Sequence, residues 1–247
     1  MKVAVFGAKG RMGGEACRAI EAECDLEVVA QIDLGDRREL ALGADMAIDF
    51  THPDAVVDNV AWCITNGLPV VVGTSGFTPE RLDMLRELLG ANPATGVLVV
   101  PNFSIGAVLM MHFSAGAAPY FESVEIIETH HTMKADAPSG TAAITARLVA
   151  ASREAAGVGD MVDSTTHEAP GARGTEIAGV RVHSLRLPGL IAQQEVRLTS
   201  SGETLAIVND ARSRACYAPG IVAALRWIGD RKGLTVGLDT VLGLARS

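Results

Sequence analysis

Two histidines and a lysine lie within five residues of one another near the middle of the chain. They are His130, His131 and Lys134, in the segment HHTMKADAPSGT. An imidazole exchanges protons near neutral pH, and an ammonium group can donate a proton or bind a carboxylate. Clustered cations also lower one another's pKa, because each disfavours the charged form of its neighbours. This spacing predicts a centre for proton transfer to an anionic substrate.

The same segment continues into the start of a predicted helix. Ser139 is a good N-cap residue, and Gly140 and Thr141 would expose their backbone amides in the first turn. Amides at the positive end of a helix bind anions, which predicts that a substrate carboxylate is held here. Taken singly, each residue has a structural explanation, such as a core histidine, a solvated lysine or an ordinary cap. Their occurrence together favours a functional site.

A glycine-rich segment near the amino end carries a second kind of chemistry. It has the spacing GxxGxxG, follows an apolar strand and opens a predicted helix. Glycines let the backbone turn sharply and approach a pyrophosphate, whose charge the helix amides stabilise. The alternative is that they only permit a tight turn between strand and helix. The residues expected to contact a dinucleotide here are Gly7, Ala8, Lys9, Gly10, Arg11 and Met12.

An acidic residue in the expected position strengthens this prediction. Asp33 ends the second predicted strand, twenty residues after Gly13. Its carboxylate could accept hydrogen bonds from the adenosine ribose hydroxyls, which favours NADH. Lys9 and Arg11 could instead neutralise the 2'-phosphate of NADPH. We expect both NADH and NADPH to be usable.

Two further cofactor contacts are expected at the carboxyl ends of predicted parallel strands, where ligands of open α/β sheets bind. Either could be an ordinary turn. The residues are Gly73, Thr74 and Ser75 after one strand, and Val100, Pro101, Asn102 and Phe103 at the end of another.

The elements that must position these groups divide the chain into two parts. Over the first hundred residues, strands at 2–6, 27–33, 46–50, 69–73 and 97–100 alternate with helices at 12–22, 53–66 and 79–89. This alternation predicts an α/β fold, a Rossmann-like doubly wound parallel sheet. Beyond Phe103, an apolar helix, a long strand at 123–131, a helix at 141–155 and alternating stretches predict a second, α+β domain. The last thirty residues are expected to be helical and to pack on the first domain.

Composition narrows the possible partners. The chain has 247 residues and a net charge of −8, which gives no attraction to nucleic acid or to anionic lipid. We expect no membrane span and no signal peptide, and therefore a cytoplasmic protein. Four scattered cysteines without a CxxC pair or nearby histidines predict neither a metal site nor disulfides.

These motifs resemble those of the bacterial 4-hydroxy-tetrahydrodipicolinate reductases, formerly called dihydrodipicolinate reductases. The resemblance extends over nearly the whole chain. It lies in GAKGRMG at 7–13, DFT at 49–51, VVGTSGF at 71–77, PNFSIGA at 101–107 and, most specifically, EXHHXXKXDAPSGTA at 128–142.

The resemblance implies hydride transfer from NADH or NADPH to a cyclic imino dicarboxylate, giving tetrahydrodipicolinate on the diaminopimelate route to lysine. It implies that His130 is the acid-base residue and Lys134 the proton donor. His131, Gly140 and Thr141 would bind the substrate, with Ser139 assisting. It also implies a dinucleotide-binding domain at 1–103 and 216–247, and a domain at 104–215 that binds substrate and builds a homotetramer.

Some positions depart from the commoner family pattern. Lys9 stands where many relatives have glycine, and Leu34 stands where some have an arginine, so both bear on cofactor preference. Ser75 replaces a threonine and Gln193 a histidine, and each keeps its hydrogen-bonding capacity.

Two other functions are compatible with the cofactor loop. A two-domain dehydrogenase acting on an amino-acid semialdehyde would share the loop but would need a different substrate segment. If it formed a thioester it would also need an activated cysteine, and no cysteine has such a context. A redox-sensing dinucleotide-binding protein would need only the first domain, which would leave the His-Lys cluster unexplained.

Overall fold

The computed structural model describes residues 1–74, 77–90 and 93–244. The chain forms two compact units. The first consists of Met1–Ile105 and Arg214–Ser247, and the second of Gly106–Ser213. The predicted cofactor loop lies in the first unit and the His-Lys segment in the second.

Strands and helices are numbered along the chain. Among the described residues the strands are β1 (Lys2–Phe6), β2 (Glu27–Ile32), β3 (Met46–Asp49), β4 (Val70–Val72), β5 (Gly96–Val99), β6 (Ser123–His130), β7 (Thr175–Ile177), β8 (Val180–Arg186), β9 (Ala192–Ser200), β10 (Glu203–Ala211) and β11 (Gly233–Val236). The helices are α1 (Arg11–Glu21), α2 (Val56–Thr65), α3 (Pro79–Leu89), α4 (Ile105–Ala117), α5 (Gly140–Ala155), α6 (Ala218–Ile228) and α7 (Leu238–Val241).

The first unit is built on a parallel sheet of six strands in the order β11-β5-β4-β3-β1-β2. From β1 the chain proceeds to β2 on one side and to β3, β4 and β5 on the other, so the predicted doubly wound parallel sheet is confirmed. Strands β3, β4 and β5 are buried at every residue, as expected for a parallel sheet covered by helices. Val56 and Val60 of α2 and Leu85 of α3 belong to this core.

Two details of the first unit differ from the sequence prediction. Helix α2 begins at Val56 rather than at 53, because the chain first turns and the amides of Ala55 and Val56 both donate to the His52 carbonyl. The segment near the carboxyl end, expected to be helical, contains strand β11, which pairs in parallel with β5 at the edge of the sheet. Four residues are too few to show a periodicity of their own.

The second unit carries a mixed sheet of five strands in the order β10-β9-β6-β8-β7. Strand β6 runs parallel to β8 and antiparallel to β9, which confirms the predicted α+β character. Helix α5 packs on this sheet through Ala142, Ala146 and Val149. Strand β7 was not predicted. The register places His130 opposite Arg186 of β8, so two residues far apart in sequence end side by side.

Candidate active site

The glycine-rich loop joins the end of β1 to the start of α1 in the way a phosphate site requires. Gly7 has φ of 76°, and a Cβ there would lie 2.7 Å from the Phe50 carbonyl oxygen, so only glycine fits. The Gly7 amide donates to the Ile32 carbonyl oxygen at 2.7 Å, and Gly10 is the N-cap of α1. The loop lies where β1 and β3 are neighbours, which is the switch point of the sheet. Ala8 is buried, whereas the side chain of Lys9 is exposed.

Two adjacent glycines in α1 differ in how much space surrounds them. A Cβ on Gly13 would overlap the Gly7 carbonyl group and approach Ala8 Cα, both of them backbone atoms of the loop. A Cβ on Gly14 would meet only ordinary van der Waals neighbours, at 3.7 Å or more. Gly13 therefore allows the helix to pack closely against the loop, and Gly14 does not serve this purpose.

We expect Gly13→Ala to weaken NADH binding at least about tenfold and to lower the free energy of unfolding by roughly 2 kcal/mol, because the loop must shift to admit the methyl group. Gly14→Ala is the matched control, and should bind NADH normally with stability equal to or up to about 1 kcal/mol above the parent. Fluorescence titration and chemical denaturation measure both quantities. Unchanged NADH binding by Gly13→Ala would contradict this packing role.

Asp33 is held against the same loop. Its carboxylate accepts the Leu34 amide at 2.9 Å and the Lys9 amide at 2.8 Å. These hydrogen bonds keep the pKa of Asp33 below its ordinary value, so the carboxylate is ionised at neutral pH. Asp36 accepts the Asp33 amide at 2.9 Å and lies 4.0 Å from the Lys9 ammonium. Two carboxylates therefore stand beside the loop, and one of them partly neutralises Lys9.

The other predicted cofactor residues lie at the carboxyl ends of β4 and β5. A Cβ on Gly73 would overlap the rings of Phe50 and Phe103, which pack 5.4 Å apart. Val100 is buried and its amide donates to the Val72 carbonyl oxygen. Asn102 accepts the Ser104 amide at 2.8 Å, and Pro101 is exposed. Ser75 lies outside the described residues.

A buried carboxylate, which the sequence marked only as the first residue of the DFT motif and gave no role, organises this edge of the sheet. Asp49 is fully buried at the end of β3. It accepts the amide and hydroxyl of Thr51 at 2.8 and 2.7 Å, the Asn59 side-chain amide at 2.9 Å and the Thr74 hydroxyl at 2.8 Å. The hydroxyl of Thr74 is therefore fixed by the protein, and the ends of β3 and β4 are tied together.

In the second unit, the Glu128 carboxylate joins the main parts of the predicted substrate segment. It is fully buried in β6. One oxygen lies 2.5 Å from His130 Nδ1, and the Arg186 guanidinium donates to both oxygens at 2.9 and 3.0 Å. The amide of Ser139 donates to the same carboxylate at 3.1 Å. Glu128 thus connects the histidine to the amino end of α5.

These contacts determine the charge states of Glu128 and His130. Burial raises the pKa of Glu128, but hydrogen bonds from Arg186, Ser184 and His130 outweigh it, so the pKa lies below its ordinary value. Burial lowers the pKa of His130 and outweighs the opposing effect of Glu128. A neutral His130 beside an ionised carboxylate carries its proton on Nδ1, and Nε2 keeps its lone pair.

The amino end of α5 lies beside this network. Ser139 is the N-cap, as predicted, and its buried hydroxyl accepts the Ala142 amide at 3.1 Å. The helix begins at Gly140, which is exposed, one residue earlier than expected. Thr141 is half-buried in the first turn. The Ser139 hydroxyl is occupied as a cap, while its two neighbours present backbone at the helix end.

Lys134 and His131 complete the predicted cluster. The Lys134 ammonium lies 2.7 Å from Asp136 Oδ1, and His131 is half-exposed. The Asp136 backbone carbonyl accepts from Arg186 at 2.7 Å, so the loop carrying Lys134 is tied to the same guanidinium that holds Glu128. Sequence reasoning missed Glu128 and Arg186 as parts of the site. The available signal was an acidic residue directly after the apolar pair Ile126 and Ile127 and two residues before His130.

The described residues contain no helix that is long and apolar enough to span a membrane. Within the same ranges, no three or more His, Cys, Asp or Glu side chains are grouped so that they could hold a metal ion.

Comparison with known proteins gives a consistent result along the whole chain. Residues 1–103 match the family model described as dihydrodipicolinate reductase, N-terminus, and residues 106–242 match dihydrodipicolinate reductase, C-terminus. The chain is 56% identical to the 4-hydroxy-tetrahydrodipicolinate reductase of Thermobifida fusca, covering 99% of this chain and 100% of the relative. It is 52% identical to that of Cutibacterium acnes, covering 99% of each.

A solved structure agrees with the sequence matches. The fold is similar to dipicolinate-bound dihydrodipicolinate reductase from Paenisporosarcina sp. TG-14, with a TM-score of 0.84 and 33% identity over 97% of this chain and 98% of that one. A protein described as a probable dehydrogenase from Thermotoga maritima, at 12% identity and a TM-score of 0.62 with 99% and 93% coverage, shares the fold alone.

Proposed function

The chain belongs to the dihydrodipicolinate reductase family. From this membership we propose that it catalyses the reduction of 4-hydroxy-tetrahydrodipicolinate to tetrahydrodipicolinate by a nicotinamide cofactor. The family name places the reaction in lysine biosynthesis through diaminopimelate. The Glu128 network carries the assignment of roles, because it joins His130 to the helix end that would bind a carboxylate. We assign cofactor binding to residues 1–103 and 216–247, and substrate binding to 104–215.

Hydride arriving at the conjugated ring leaves negative charge that a proton must neutralise. We assign this proton to the Lys134 ammonium. His130 offers the Nε2 lone pair to accept a proton or hydrogen bond, and its imidazolium form would be stabilised by Glu128. His131, Gly140 and Thr141 are assigned to substrate binding, with Ser139 setting the helix end as its cap.

The first unit suits a dinucleotide. When bound, the nicotinamide cofactor supplies the hydride. The amides at the start of α1, after its N-cap Gly10, would hold its pyrophosphate, and Asp33 would accept the ribose hydroxyls. Asp33 and Asp36 together would repel a 2'-phosphate, while exposed Lys9 and Arg11 would attract one. We therefore propose that both cofactors are used and that NADH is preferred.

We expect Asp33→Asn to lower kcat/KM for NADH by about tenfold and that for NADPH by less, since a charge-assisted hydrogen bond is lost only with NADH. Steady-state rates with each cofactor give the NADPH to NADH ratio, which should rise. Asp83→Asn, an exposed aspartate on α3 paired with Arg86, is the control and should leave the ratio unchanged. An unchanged or lower ratio in Asp33→Asn would contradict the assignment.

We further propose that the enzyme is a homotetramer assembled through the second unit and that it works in the cytoplasm. The support for assembly is a set of exposed large apolar side chains on that unit, a feature of protein interaction surfaces: Phe113, Tyr120, Leu185, Leu187, Leu205 and Val208. Strand β10, which carries two of them, is an edge strand available for pairing. The four cysteines are free thiols, as is usual in a reducing compartment.

A direct assay tests the proposed reaction. The heterocycle is generated from pyruvate and aspartate semialdehyde by the synthase that precedes this step, and oxidation of NADH and NADPH is followed after adding the protein. Enzyme-dependent oxidation is expected only when the synthase is present. Reaction with the semialdehyde alone would indicate the rival dehydrogenase, and tight NADH binding with no oxidation would indicate a sensor. Either result would overturn the proposal.

A further inference from the structure

An aspartate of the protein itself lies against Lys134, the residue to which we assign the donated proton. Asp136 Oδ1 is 2.7 Å from the Lys134 ammonium. Burial raises the pKa of Asp136, but the hydrogen bond from Lys134 and nearby backbone amides outweigh it, so the pKa lies below its ordinary value. An ammonium group is one partner that a substrate carboxylate would need, and the amino end of α5, four residues further along the chain, offers another.

The backbone and the side chain of this aspartate are held differently. Its carbonyl oxygen accepts from Arg186 at 2.7 Å, which fixes the backbone of the loop. Its side chain is 57% exposed, whereas that of Lys134 is 21% exposed. Rotation of the Asp136 side chain into solvent would therefore free the Lys134 ammonium without moving the loop.

We propose that the Asp136 carboxylate occupies the place of a substrate carboxylate in the ligand-free protein and is displaced when the dicarboxylate binds. Asp136 is then a residue that governs affinity and selectivity, and it is not a proton donor. A ligand with its own carboxylate replaces the charge-assisted hydrogen bond that the Asp136 side chain gives up, whereas a neutral ring compound replaces it with a weaker one and is disfavoured. This inference rests on the proposed roles of Lys134 as the proton donor and of the α5 start in substrate binding.

The experiment measures binding of dipicolinate, the dicarboxylate held by the Paenisporosarcina homologue, to the full-length protein by calorimetry. Asp136→Asn removes the internal competitor and one repelling charge, and should tighten dipicolinate binding by about three- to tenfold. In a Lys134→Met background the same change should tighten binding by less than about twofold, because the contested cation is gone. Asp136→Ala provides a second variant with the same expectation.

Asp210→Asn is the matched control, since Asp210 lies in the same unit and pairs with exposed Arg212 instead. It should bind dipicolinate like the parent. Weaker or unchanged binding by both Asp136 variants would overturn the inference, as would equal tightening with and without Lys134. If the unmodified protein binds no dipicolinate and turns over no substrate, the proposed function itself fails. If it does both while the Asp136 variants show no tightening, only the inference fails.

Discussion

Lys134→Met should lower kcat by about 10²- to 10⁴-fold, the range over which a positioned proton donor accelerates a reaction. The methionine keeps much of the side-chain volume and removes the ammonium that lies 2.7 Å from Asp136. If the proton is transferred in the transition state, kcat falls more than dipicolinate affinity does. Steady-state kinetics and calorimetry on the same preparation separate the two effects.

The exposed lysine Lys232, in the first unit, supplies the control for this substitution. Lys232→Met should retain the parent kcat. Thermal unfolding of both variants checks that neither has lost its fold. A Lys134→Met enzyme with normal turnover would remove the proton-donor assignment and leave the family membership intact.

Arg186→Met should lower the free energy of unfolding by about 3 kcal/mol, because it leaves the Glu128 carboxylate buried without its cation. The substitution removes both guanidinium hydrogen bonds to that carboxylate and the one to the Asp136 carbonyl. The loop that carries Lys134 is then no longer attached to β8, so kcat should fall as well. Chemical denaturation measures the stability.

Two comparisons test the cause of this destabilisation. Arg181 lies on the same strand, but its partners are partly exposed carboxylates at 3.6 and 3.8 Å, so Arg181→Met should cost less than about 1 kcal/mol. Adding Glu128→Leu to Arg186→Met removes the unpaired charge and should restore most of the stability, but not the activity. Equal denaturation midpoints for Arg186→Met and Arg181→Met would show that the buried Glu128–Arg186 pair contributes no more to stability than an exposed pair does.

The sequence predicted best those features that depend on neighbouring residues. The strands around the cofactor loop are short β-branched runs, and the Ser139 cap follows from residue type alone. Helix α3 has the predicted bounds 79–89, and its Thr78 cap, directly ahead of a proline, is equally local. In each case the physical cause lies within a few residues of the effect.

Features that depend on the pairing of distant strands could not be predicted in this way. Arg186 is 58 residues from Glu128, and only the register of β6 against β8 brings them together. The Asp49 network likewise joins the ends of β3 and β4 across 25 residues through Thr74. A sequence shows which side chains are charged, but not which strands are neighbours in the sheet. The pairing of Glu128 with Arg186 and of Asp49 with Thr74 could therefore not be predicted.

Strand β11 also has a consequence for the order in which the molecule can be completed during translation. It is the edge of the first sheet beside β5, although more than half of the chain separates Val99 from Gly233. Helix α6, which contacts β3, β4 and β5, also comes from the late part of the chain. A ribosome therefore finishes the contiguous second unit before the first sheet can acquire its last strand and this helix. Until then the nascent β5 has an open edge, whose unpaired backbone groups are exposed to association with other chains.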